Sequence, residues 1–527
     1  VLILLWWVAG SRATGREKLI GFFGFLLALA AIVLLSDPSM RGVITTYLTL
    51  PLGAIGFGLG AYLLRRQRPK PRVTGVLVGA VLAMSITLIL QNFGITGAYG
   101  FELHPRWAPA PGAGSWAKSA APQAQGAGAG AKIEAAMATA EWPGFRGADR
   151  LGHTQAPKLA TDWQANPPKL LWKKPVGAGW SSFAVAGAYA FTQEQLGPSE
   201  VVACYEVATG NEVWTQQREA RFDEAMGGPG PRATPTLADG AVFVTSASGV
   251  LLRLKASTGE VAWQQDFKSL SGRKELPMWG YAASPLVTNG LVIIYAGGEG
   301  DKGVMAFDAA SGQPRWSVAC GPESYSSPQL SKVLGEETLL MLTNDGLLLL
   351  DPATGKVRLN YEWKFQGYRA LQPTVIGEDV ILLPTPMAEG TRAIRVSKNG
   401  DQLTAEPLWT SKQLKTDFSD VIAHQGYLYG IDGSMFSCID LKTGARAWKG
   451  GRYGKGQSLL LDTAGQILIA AEDGRVVLLQ ADPTAHKEIT SFQALQGKTW
   501  NHPVLVGDKL LVRNATEAAC YALPLAP

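Results

Sequence analysis

Residues 233–263 read ATPTLADGAVFVTSASGVLLRLKASTGEVAW, and their pattern decides the fold. Short apolar runs are separated by the pairs Asp239-Gly240, Ser248-Gly249 and Thr258-Gly259. Glycine adopts the positive φ that a tight hairpin turn requires, so these pairs predict turns between antiparallel strands. The stretch therefore predicts three short strands and the start of a fourth, which ends at Trp263.

The same strand–turn–strand–tryptophan pattern recurs along the chain. Clear copies are CYEVATGNEVW at Cys204–Trp214, AFDAASGQPRW at Ala306–Trp316 and CIDLKTGARAW at Cys438–Trp448, and Leu349–Leu359 keeps the turn without the tryptophan. Burying a tryptophan face of about 150 Å² stabilises the fold by roughly 3–4 kcal/mol. A lone four-stranded sheet has no surface against which to bury that face, so each repeat requires neighbours of its own kind.

A small or polar residue opens each repeat. These opening residues follow one another at intervals of roughly 40–50 residues, the period of four-stranded propeller blades. They are Ser181, Ala233, Ala283, Ser326, Gln372, Ser419, Gln457 and Asn501. The eighth repeat supplies only three strands, whereas Lys169–Trp172 is an unmatched outer strand ahead of the first. We therefore predict an all-β, eight-bladed β-propeller with four-stranded antiparallel blades, whose last blade is closed by that N-terminal strand.

The repeat resembles the blades of the quinoprotein-dehydrogenase-like, or PQQ-repeat, β-propeller family, which end in an A-x-D-x-x-T-G-x-x-x-W signature. The resemblance covers about 142–527. That family includes pyrroloquinoline-quinone (PQQ) dehydrogenases and non-catalytic members such as the scaffold of outer-membrane protein assembly, so the fold leaves the function open. The whole chain looks most like the family's bacterial membrane-anchored branch, whose propellers open with W-P-x-F-R-G, here Trp142–Gly147.

The N-terminal part predicts an α-helical membrane anchor. Residues 1–10 are apolar but too short to cross a bilayer, and we interpret them as the end of a truncated apolar helix. Residues 19–35, 43–64 and 73–95 contain no charged residue and predict three transmembrane helices, because a span needs about 20 residues. Residues 96–141 are rich in Ala, Gly and Pro and predict a periplasmic linker to the propeller at 142–527.

Charge predicts the orientation of this anchor. Residues 1–107 carry ten Lys and Arg against three Asp and Glu, and the basic residues crowd the segments 12–18 and 65–72. The positive-inside rule makes both segments cytoplasmic, so the anchor lies in the bacterial inner (cytoplasmic) membrane and the propeller in the periplasm. The propeller part has no basic stripe, which argues against a nucleic-acid partner. The apolar spans hold no Asp, Glu, Lys, Arg or His, which disfavours ion transport.

The loops that lead from each outer strand to the next inner strand ring one end of a propeller channel, which we call the mouth. Aromatic and arginine side chains, typical of interface hot spots and anionic-ligand pockets, are frequent in these loops. The candidate ligand or partner site consists of Trp180, Arg232, Trp279, Tyr281, Tyr325, Arg369, Asp420, Arg452, Tyr453, Trp500, Asn501 and His502. A structural role, in which these side chains fill the channel, stays open.

A PQQ-dependent periplasmic dehydrogenase that feeds electrons to the membrane is the alternative function. The resemblance implies a quinone stacked on Trp180 or Trp279, a Ca²⁺ ion for which Asn501 is a ligand, and Asp420 as general base. Ca²⁺ takes six or more oxygen ligands, several of them anionic, and the loops offer few carboxylates. We therefore predict no catalytic residue, no metal site and no cofactor, with PQQ and Ca²⁺ as the alternative.

The sequence favours a membrane-anchored periplasmic propeller that acts as an interaction or scaffold module. Its expected role is that of an accessory structural subunit in a larger membrane complex, whether respiratory, photosynthetic or envelope-assembly. The expected partners are the lipid bilayer and the other subunits of that complex. A periplasmic receptor for a small ligand is a second alternative. Co-purifying subunits distinguish the scaffold from both alternatives.

Overall fold

The structure is a computed structural model that describes residues 2–109, 127–321, 323–387, 389–400 and 402–526. The chain forms two compact units. The first comprises Val1–Ala110 together with Asp223–Gly228, and the second comprises Pro111–Phe222 and Pro229–Pro527.

The first unit is mainly helical. Its helical segments are Leu2–Leu5, the π-helical turn Trp6–Gly10, Gly15–Leu35, the 3₁₀ turn Pro38–Met40, the π-helical turn Thr45–Thr49, Leu50–Leu63, Pro69–Ser85 and the 3₁₀ turn Ile86–Ile89. Three continuous stretches, Gly15–Leu35, Thr45–Leu63 and Pro69–Ile89, are long and apolar enough to cross a membrane. They overlap the three predicted spans.

The third predicted span, 73–95, differs from the structure at its C-terminal end. The helical segment ends at Ile89, and Leu90–Ile95 forms a strand that pairs with Phe101–Pro105. Asn92 and Gly94 are poor helix formers, which explains why the apolar run does not stay helical to its end. A helix, Ala127–Met137, also lies inside the predicted linker 96–141 and belongs to the second unit.

Glycines let the second and third long helices of the first unit approach closely. A Cβ atom built on Gly56 would lie 2.2 Å from the carbonyl oxygen of Gly79. One built on Gly60 would lie 2.9 Å from the carbonyl oxygen of Gly75. Small residues four positions apart are typical of helix contacts in membranes, because they allow two backbones to touch.

The second unit is an eight-bladed propeller. Blade 1 consists of Ala184–Ala186, Tyr189–Leu196, Ser199–Glu206 and Glu212–Glu219; blade 2 of Thr236–Ala238, Ala241–Thr245, Val250–Lys255 and Val261–Asp266; blade 3 of Leu286–Thr288, Leu291–Tyr295, Val304–Asp308 and Pro314–Val318; and blade 4 of Gln329–Val333, Glu336–Thr343, Gly346–Leu350 and Val357–Glu362. A short helix, Phe267–Leu270, follows blade 2.

The remaining blades complete the ring. Blade 5 consists of Thr374–Ile376, Val380–Thr385, Gly390–Asn399 and Gln402–Ser411; blade 6 of Ile422–His424, Tyr427–Asp432, Met435–Asp440 and Arg446–Arg452; blade 7 of Gln457–Leu461, Gln466–Ala470, Arg475–Gln480 and Lys487–Gln493; and blade 8 of Val504–Val506, Lys509–Arg513, Glu517–Ala522 and the N-terminal strand Lys169–Pro175. Trp172 pairs with Cys520 in blade 8. The predicted eight-bladed fold and its closure by the N-terminal strand are confirmed.

Five of the six signature tryptophans pack on the glycine turn of the next blade, and the sixth, Trp448, donates to the carbonyl oxygen of Asp482 in a turn without glycine. The indole Nε1 of Trp214 in blade 1 donates a 2.9 Å hydrogen bond to the carbonyl oxygen of Ala256 in blade 2. Gly259 in that turn has φ +75°, and a Cβ atom built on it would lie 2.5 Å from the Trp214 ring. The turn and the neighbouring ring therefore both require glycine. The same contact recurs in the pairs Trp172–Gly210, Trp263–Gly312, Trp316–Gly355 and Trp409–Gly444.

Candidate functional site

Residues 142–154 cross the middle of the propeller ring, and we call this segment the plug. At its start, Trp142 exchanges backbone hydrogen bonds with Val185 in the inner strand of blade 1. At its end, His153 and Thr154 form a parallel fifth strand against Leu460 and Leu461 of blade 7. Blades 1 and 7 both adjoin blade 8, whereas Arg150 within the segment reaches Pro328 at the start of blade 4, on the opposite side of the ring. Since the inner strands line the channel, the segment lies across it.

Backbone and aromatic contacts attach the plug to further blades. The amide of Leu237 in blade 2 donates to the carbonyl oxygen of Pro143 at 2.7 Å. The side chain of Gln329 in blade 4 donates to the carbonyl oxygen of Asp149 at 2.6 Å. The ring of Phe145 meets that of His502, next to blade 8, edge-on at 5.0 Å. From the sequence these residues are predicted to begin the propeller, whereas in the structure most of them belong to no blade.

Arg150 of the plug is buried without a carboxylate partner in the described part of the chain. Its guanidinium donates to the carbonyl oxygens of Ser284 (3.3 Å), Pro285 and Pro328 (2.9 Å) at the edges of blades 3 and 4. Burial lowers the pKa of Arg150 to about 9. The hydrogen bonds to carbonyl dipoles compensate for the lost hydration of the cation. Arg150 therefore holds two neighbouring blades to the plug.

Arg146 holds blade 6 to the plug, as Arg150 holds blades 3 and 4. It donates to the carbonyl oxygen of Val421 at 3.0 Å, and its Nε lies 3.7 Å from the Oδ2 of Asp420. The Oδ1 of Asp420 accepts the backbone amide of Gln372 at 2.7 Å. Burial raises the pKa of Asp420, and the Arg146 cation partly offsets this rise. Asp420 is thus one half of a buried ion pair between the plug and the ring.

The plug ends in a histidine held between two carboxylates. His153 Nε2 lies 2.5 Å from Asp149 Oδ2, and its Nδ1 lies 2.5 Å from Asp462 Oδ2. The hydrogen bond to Asp149 is the main reason why the pKa of His153 rises to about 9. The imidazole is therefore protonated at neutral pH and bonds the plug to the loop that follows the inner strand of blade 7.

The mouth residues form two half-buried aromatic groups. In one, the Trp180 and Trp500 rings lie 4.9 Å apart, Phe418 lies 4.9 Å from Trp500, and Lys498 stands over both indoles at 5.2 and 4.6 Å. In the other, Trp279 meets Tyr325 at 4.9 Å and Tyr368 at 4.4 Å. Four of these rings, Trp180, Trp500, Trp279 and Tyr325, are predicted mouth residues, and the structure brings them together in two pairs.

Three predicted mouth residues have internal structural contacts instead. Arg369 is fully buried and donates to the carbonyl oxygens of Thr343 (2.5 Å) and Trp363 (2.7 Å). The Tyr453 hydroxyl bonds to His486 and Glu488, each at 2.8 Å. Buried Tyr281 packs against Phe267 at 4.6 Å, and its hydroxyl donates to a backbone carbonyl. A short loop can turn a long side chain back into its own blade, and residue type alone does not reveal this.

The remaining predicted residues differ in their burial and in their contacts within the protein. Arg232 stands over the Phe222 ring at 4.8 Å, and Arg452 is exposed. The Asn501 amide donates to the carbonyl oxygen of Ser181 at 2.7 Å, so this side chain joins blades 8 and 1. Burial, together with the nearby Arg146 cation, holds the pKa of His502 well below its ordinary value. His502 is therefore neutral at neutral pH.

The residues do not fit the PQQ and Ca²⁺ alternative. The described residues contain no group of three or more His, Cys, Asp or Glu side chains that could hold a metal ion. Asp420 is engaged by Arg146, and the Asn501 amide nitrogen by backbone carbonyls. Trp180 already packs on Trp500. Trp180 and Asp420 thus have partners within the protein, and the Asn501 side chain offers a single neutral oxygen where Ca²⁺ takes six or more oxygen ligands.

Fold and repeat together define the class: an eight-bladed propeller of the PQQ-repeat type, joined to apolar helices that can serve as a membrane anchor. Residues 198–450 match a PQQ-repeat family model described as "Outer membrane protein assembly factor BamB". The match runs from the third strand of blade 1 into the outer strand of blade 6. The matched family is the PQQ-repeat propeller family that the signature predicts, so that prediction is confirmed.

Curated relatives carry the same description. Outer membrane protein assembly factor BamB of Moranella endobia is 29% identical over 151 residues, which are 28% of this chain and 35% of that protein. BamB of Bordetella pertussis is 23% identical over 264 residues, 48% of this chain and 60% of that protein. BamB of Yersinia pestis is 24% identical over 288 residues, which are 52% of this chain and 69% of that protein. The chain thus spans about a third to two thirds of the length of these relatives.

Solved structures include similar propellers. The crystal structure of BamB from Moraxella catarrhalis covers 68% of this chain and 98% of its own, at 14% identity and a TM-score of 0.47. The structure of quinohemoprotein alcohol dehydrogenase ADHIIG from Pseudomonas putida HK5 covers 75% of this chain and 82% of its own, at 15% identity and a TM-score of 0.49.

Proposed function

We propose that this protein is a membrane-anchored periplasmic propeller that acts as an interaction scaffold, as an accessory subunit of a larger membrane complex. The single observation that carries the proposal is the plug. Its arginines Arg146 and Arg150 occupy the ring interior and bond to blades 3, 4 and 6. A ring closed in this way is a rigid platform, and its exposed surface remains for recognition.

The mouth is the surface that we assign to the partner. Half-buried indole and phenol rings backed by a lysine are the composition of interface hot spots. Met278, beside Trp279, is 67% exposed, although methionine is an apolar side chain suited to adaptable protein contacts. An exposed apolar side chain next to paired aromatic rings fits a protein partner better than water.

The anchor and the relatives support the location and the kind of complex. The basic residues Arg65, Arg66 and Arg68 lie between two helices able to span a membrane, and the positive-inside rule makes that turn cytoplasmic. This supports an inner-membrane anchor with a periplasmic propeller. The name of the relatives, outer membrane protein assembly factor, favours envelope assembly over a respiratory or photosynthetic complex.

The experiment is affinity purification of the tagged full-length chain from its own membranes in mild detergent. Met278→Asp places a charge in the mouth, and we expect it to remove stoichiometric subunits that co-purify with the unaltered chain. Val357→Asp is the matched control, because Val357 is 42% exposed on the outer strand of blade 4, and it should keep those subunits. Equal retention in both variants, or no partner at all, contradicts the proposal.

A further inference from the structure

Basic residues collect at one end of the helical first unit, which we call the basic end. They flank the start of the helix Gly15–Leu35, and they occupy the connection from Leu50–Leu63 to Pro69–Ser85 and the first turn that follows it. Arg72 joins these two segments, because its Nη2 donates to the Glu17 carboxylate at 2.6 and 2.7 Å and its Nε donates at 2.9 Å. The basic end consists of Arg12, Arg16, Lys18, Arg65, Arg66, Arg68, Lys70 and Arg72.

A single carboxylate lies among these eight basic residues. Glu17 is the one acidic residue in the segments 11–20 and 60–75 of the sequence, and its buried carboxylate is engaged by Arg72. The other seven basic residues form no ion pair within the part of the chain that the structure describes, and all of them except half-buried Lys18 are exposed. Seven like charges in one place repel one another, so they are matched by a partner that carries several negative charges.

The opposite end of the same helices is electrically balanced. There, Arg106 lies 3.9 Å from the carboxylate of Asp37. Arg41 donates to the carbonyl oxygens of Leu34 at 3.1 Å and Ser36 at 3.3 Å. The excess of positive charge is therefore a property of the basic end and not of the first unit as a whole.

Exposed apolar side chains adjoin the basic end. Leu19, Phe23, Tyr62 and Leu63 are between 61% and 72% exposed. All four belong to stretches that are long and apolar enough to cross a membrane. In a membrane the hydrocarbon gives way to headgroups where such stretches end, so the basic end lies at the depth of the lipid phosphates.

Arg65 is held at this boundary by Tyr62. Its guanidinium stands over the Tyr62 ring at 4.2 Å, and its Nη1 donates to the Tyr62 carbonyl oxygen at 2.8 Å. Tyrosine is typical of the interface between hydrocarbon and headgroups. Five of the seven basic residues without an ion pair are arginines, whose planar guanidinium presents N–H donors in a geometry that matches phosphate oxygens. The basic end is therefore suited to phosphate groups.

We propose that the basic end binds anionic phospholipids, with their phosphates on the arginines and their acyl chains against Leu19, Phe23 and Leu63. A soluble phosphate compound would match the cations but not the adjoining apolar side chains, so the lipid is the ligand. The inference goes beyond orientation in the membrane, because such lipids stay bound to the isolated protein. It rests on the membrane anchor of the proposed function and not on the mouth, so lipid binding and co-purification of subunits can fail separately.

The test titrates dioleoyl-phosphatidylglycerol into the full-length chain in mild detergent and counts the bound lipids by native mass spectrometry. Dioleoyl-phosphatidylcholine has a headgroup without net charge, and glycerol 3-phosphate has the phosphate without acyl chains. The unaltered chain should bind phosphatidylglycerol about tenfold or more tightly than phosphatidylcholine. High salt should reduce this preference, because it screens exposed charges. Glycerol 3-phosphate should not displace the bound lipid.

Variants of exposed residues without an ion pair assign the preference to the basic end. The triple variant Arg66→Gln, Arg68→Gln, Lys70→Gln should lose most of the preference for phosphatidylglycerol. Each basic residue near an anionic surface is worth about a fivefold change in affinity, so three such losses multiply. The double variant Arg66→Lys, Arg68→Lys keeps the charge and should keep most of the preference.

The matched control removes the same number of charges from exposed positions of the propeller, with Lys158→Gln, Lys356→Gln and Lys442→Gln, and it should keep the full preference. All variants should melt close to the temperature of the unaltered chain, because exposed side chains of this kind contribute little to stability. The proposal is overturned if the unaltered chain binds both lipids equally, if the triple variant at the basic end keeps the preference, or if glycerol 3-phosphate displaces the lipid.

Discussion

The indole of Trp172 donates a 2.7 Å hydrogen bond to the carbonyl oxygen of Val207. Trp172 lies in the N-terminal strand that completes blade 8, and Val207 lies in blade 1. The seam where the ring closes therefore has the same tryptophan contact as the other blade junctions, and Trp172 also covers Gly210 in the next turn. Closing the ring in this way leaves no exposed edge between its ends.

The tryptophan–glycine contact predicts a difference between two glycines with similar backbones. Gly240 and Gly259 have φ of +70° and +75°, but only Gly259 lies under an indole, that of Trp214. Gly240→Ala should lower the free energy of unfolding by about 1 kcal/mol through backbone strain alone. Gly259→Ala should cost roughly 1–3 kcal/mol more, because the ring must move. Chemical denaturation of both variants measures the difference, and equal losses would show that the contact is unimportant.

The Arg146–Asp420 pair predicts strong coupling between the plug and the ring. Arg146→Met leaves the Asp420 carboxylate buried without its cation, which should destabilise the protein by about 3–5 kcal/mol. Asp420→Asn in the same chain removes the stranded charge and should restore a measurable part of that loss. The melting temperatures and denaturant midpoints of the single and double variants give the coupling free energy. Additive losses would mean that the two side chains act independently.

The histidine at the end of the plug predicts a pH dependence. Its pKa is raised from 6.5 to about 9, so the folded state binds the proton more tightly than the unfolded state. The stabilisation is therefore fully present below about pH 6.5 and decreases as pH rises through about 9. Asp149 and Asp462 face His153 directly, and Gln155 bonds to Asp462. Thermal melts between pH 6 and 10 should show this decline.

The control for that decline is His153→Gln, which keeps hydrogen bonding without a titrating group. Its melting temperature should be lower at pH 6 and should fall less between pH 6 and 10 than that of the unaltered chain. Limited proteolysis should also cut near the plug more readily in the unaltered chain at pH 10 than at pH 6. An unchanged pH profile in His153→Gln would assign the titration to other groups.

The close packing of helices in the first unit predicts that Gly56 and Gly58 differ in how well they tolerate substitution by alanine. Gly56→Ala would place a methyl group 2.2 Å from the carbonyl oxygen of Gly79, whereas the nearest atom to a methyl group on Gly58 lies 3.5 Å away. Gly56→Ala should therefore lower the thermal stability in detergent, and Gly58→Ala should leave it nearly unchanged. Size-exclusion profiles after heating measure both. Equal tolerance would show that the helices do not pack through these glycines.

Periodic features of the fold were predictable from the sequence. The Thr/Ser-Gly turn and the following tryptophan recur because most blades make the same contact with their neighbour, so eight blades and the closing strand could be counted in advance. The helices that are long and apolar enough to cross a membrane followed from uncharged apolar runs. The end of the third, at Ile89, was missed, because Leu90–Ile95 is apolar enough to resemble a helix yet pairs as a strand.

The site was less predictable, because it depends on where non-periodic segments lie. Nothing in the repeat pattern places Trp142–Thr154 inside the ring. The available signal was two arginines, Arg146 and Arg150, in a short segment outside any blade, since such residues need internal partners when buried. Arg369 gives the opposite case, a residue predicted at the site that is not part of it. It lies in a mouth loop, but its guanidinium folds back to 4.7 Å from the centre of the Trp363 ring.

The size and composition of the particle released from native membranes by mild detergent test the central claim most directly. Native mass spectrometry together with a visible absorption spectrum would measure both. The account predicts a mass well above the 56.1 kDa of this chain, with other subunits in fixed stoichiometry. A lone chain that carries quinone absorbance and Ca²⁺ would contradict it and would make the protein a dehydrogenase.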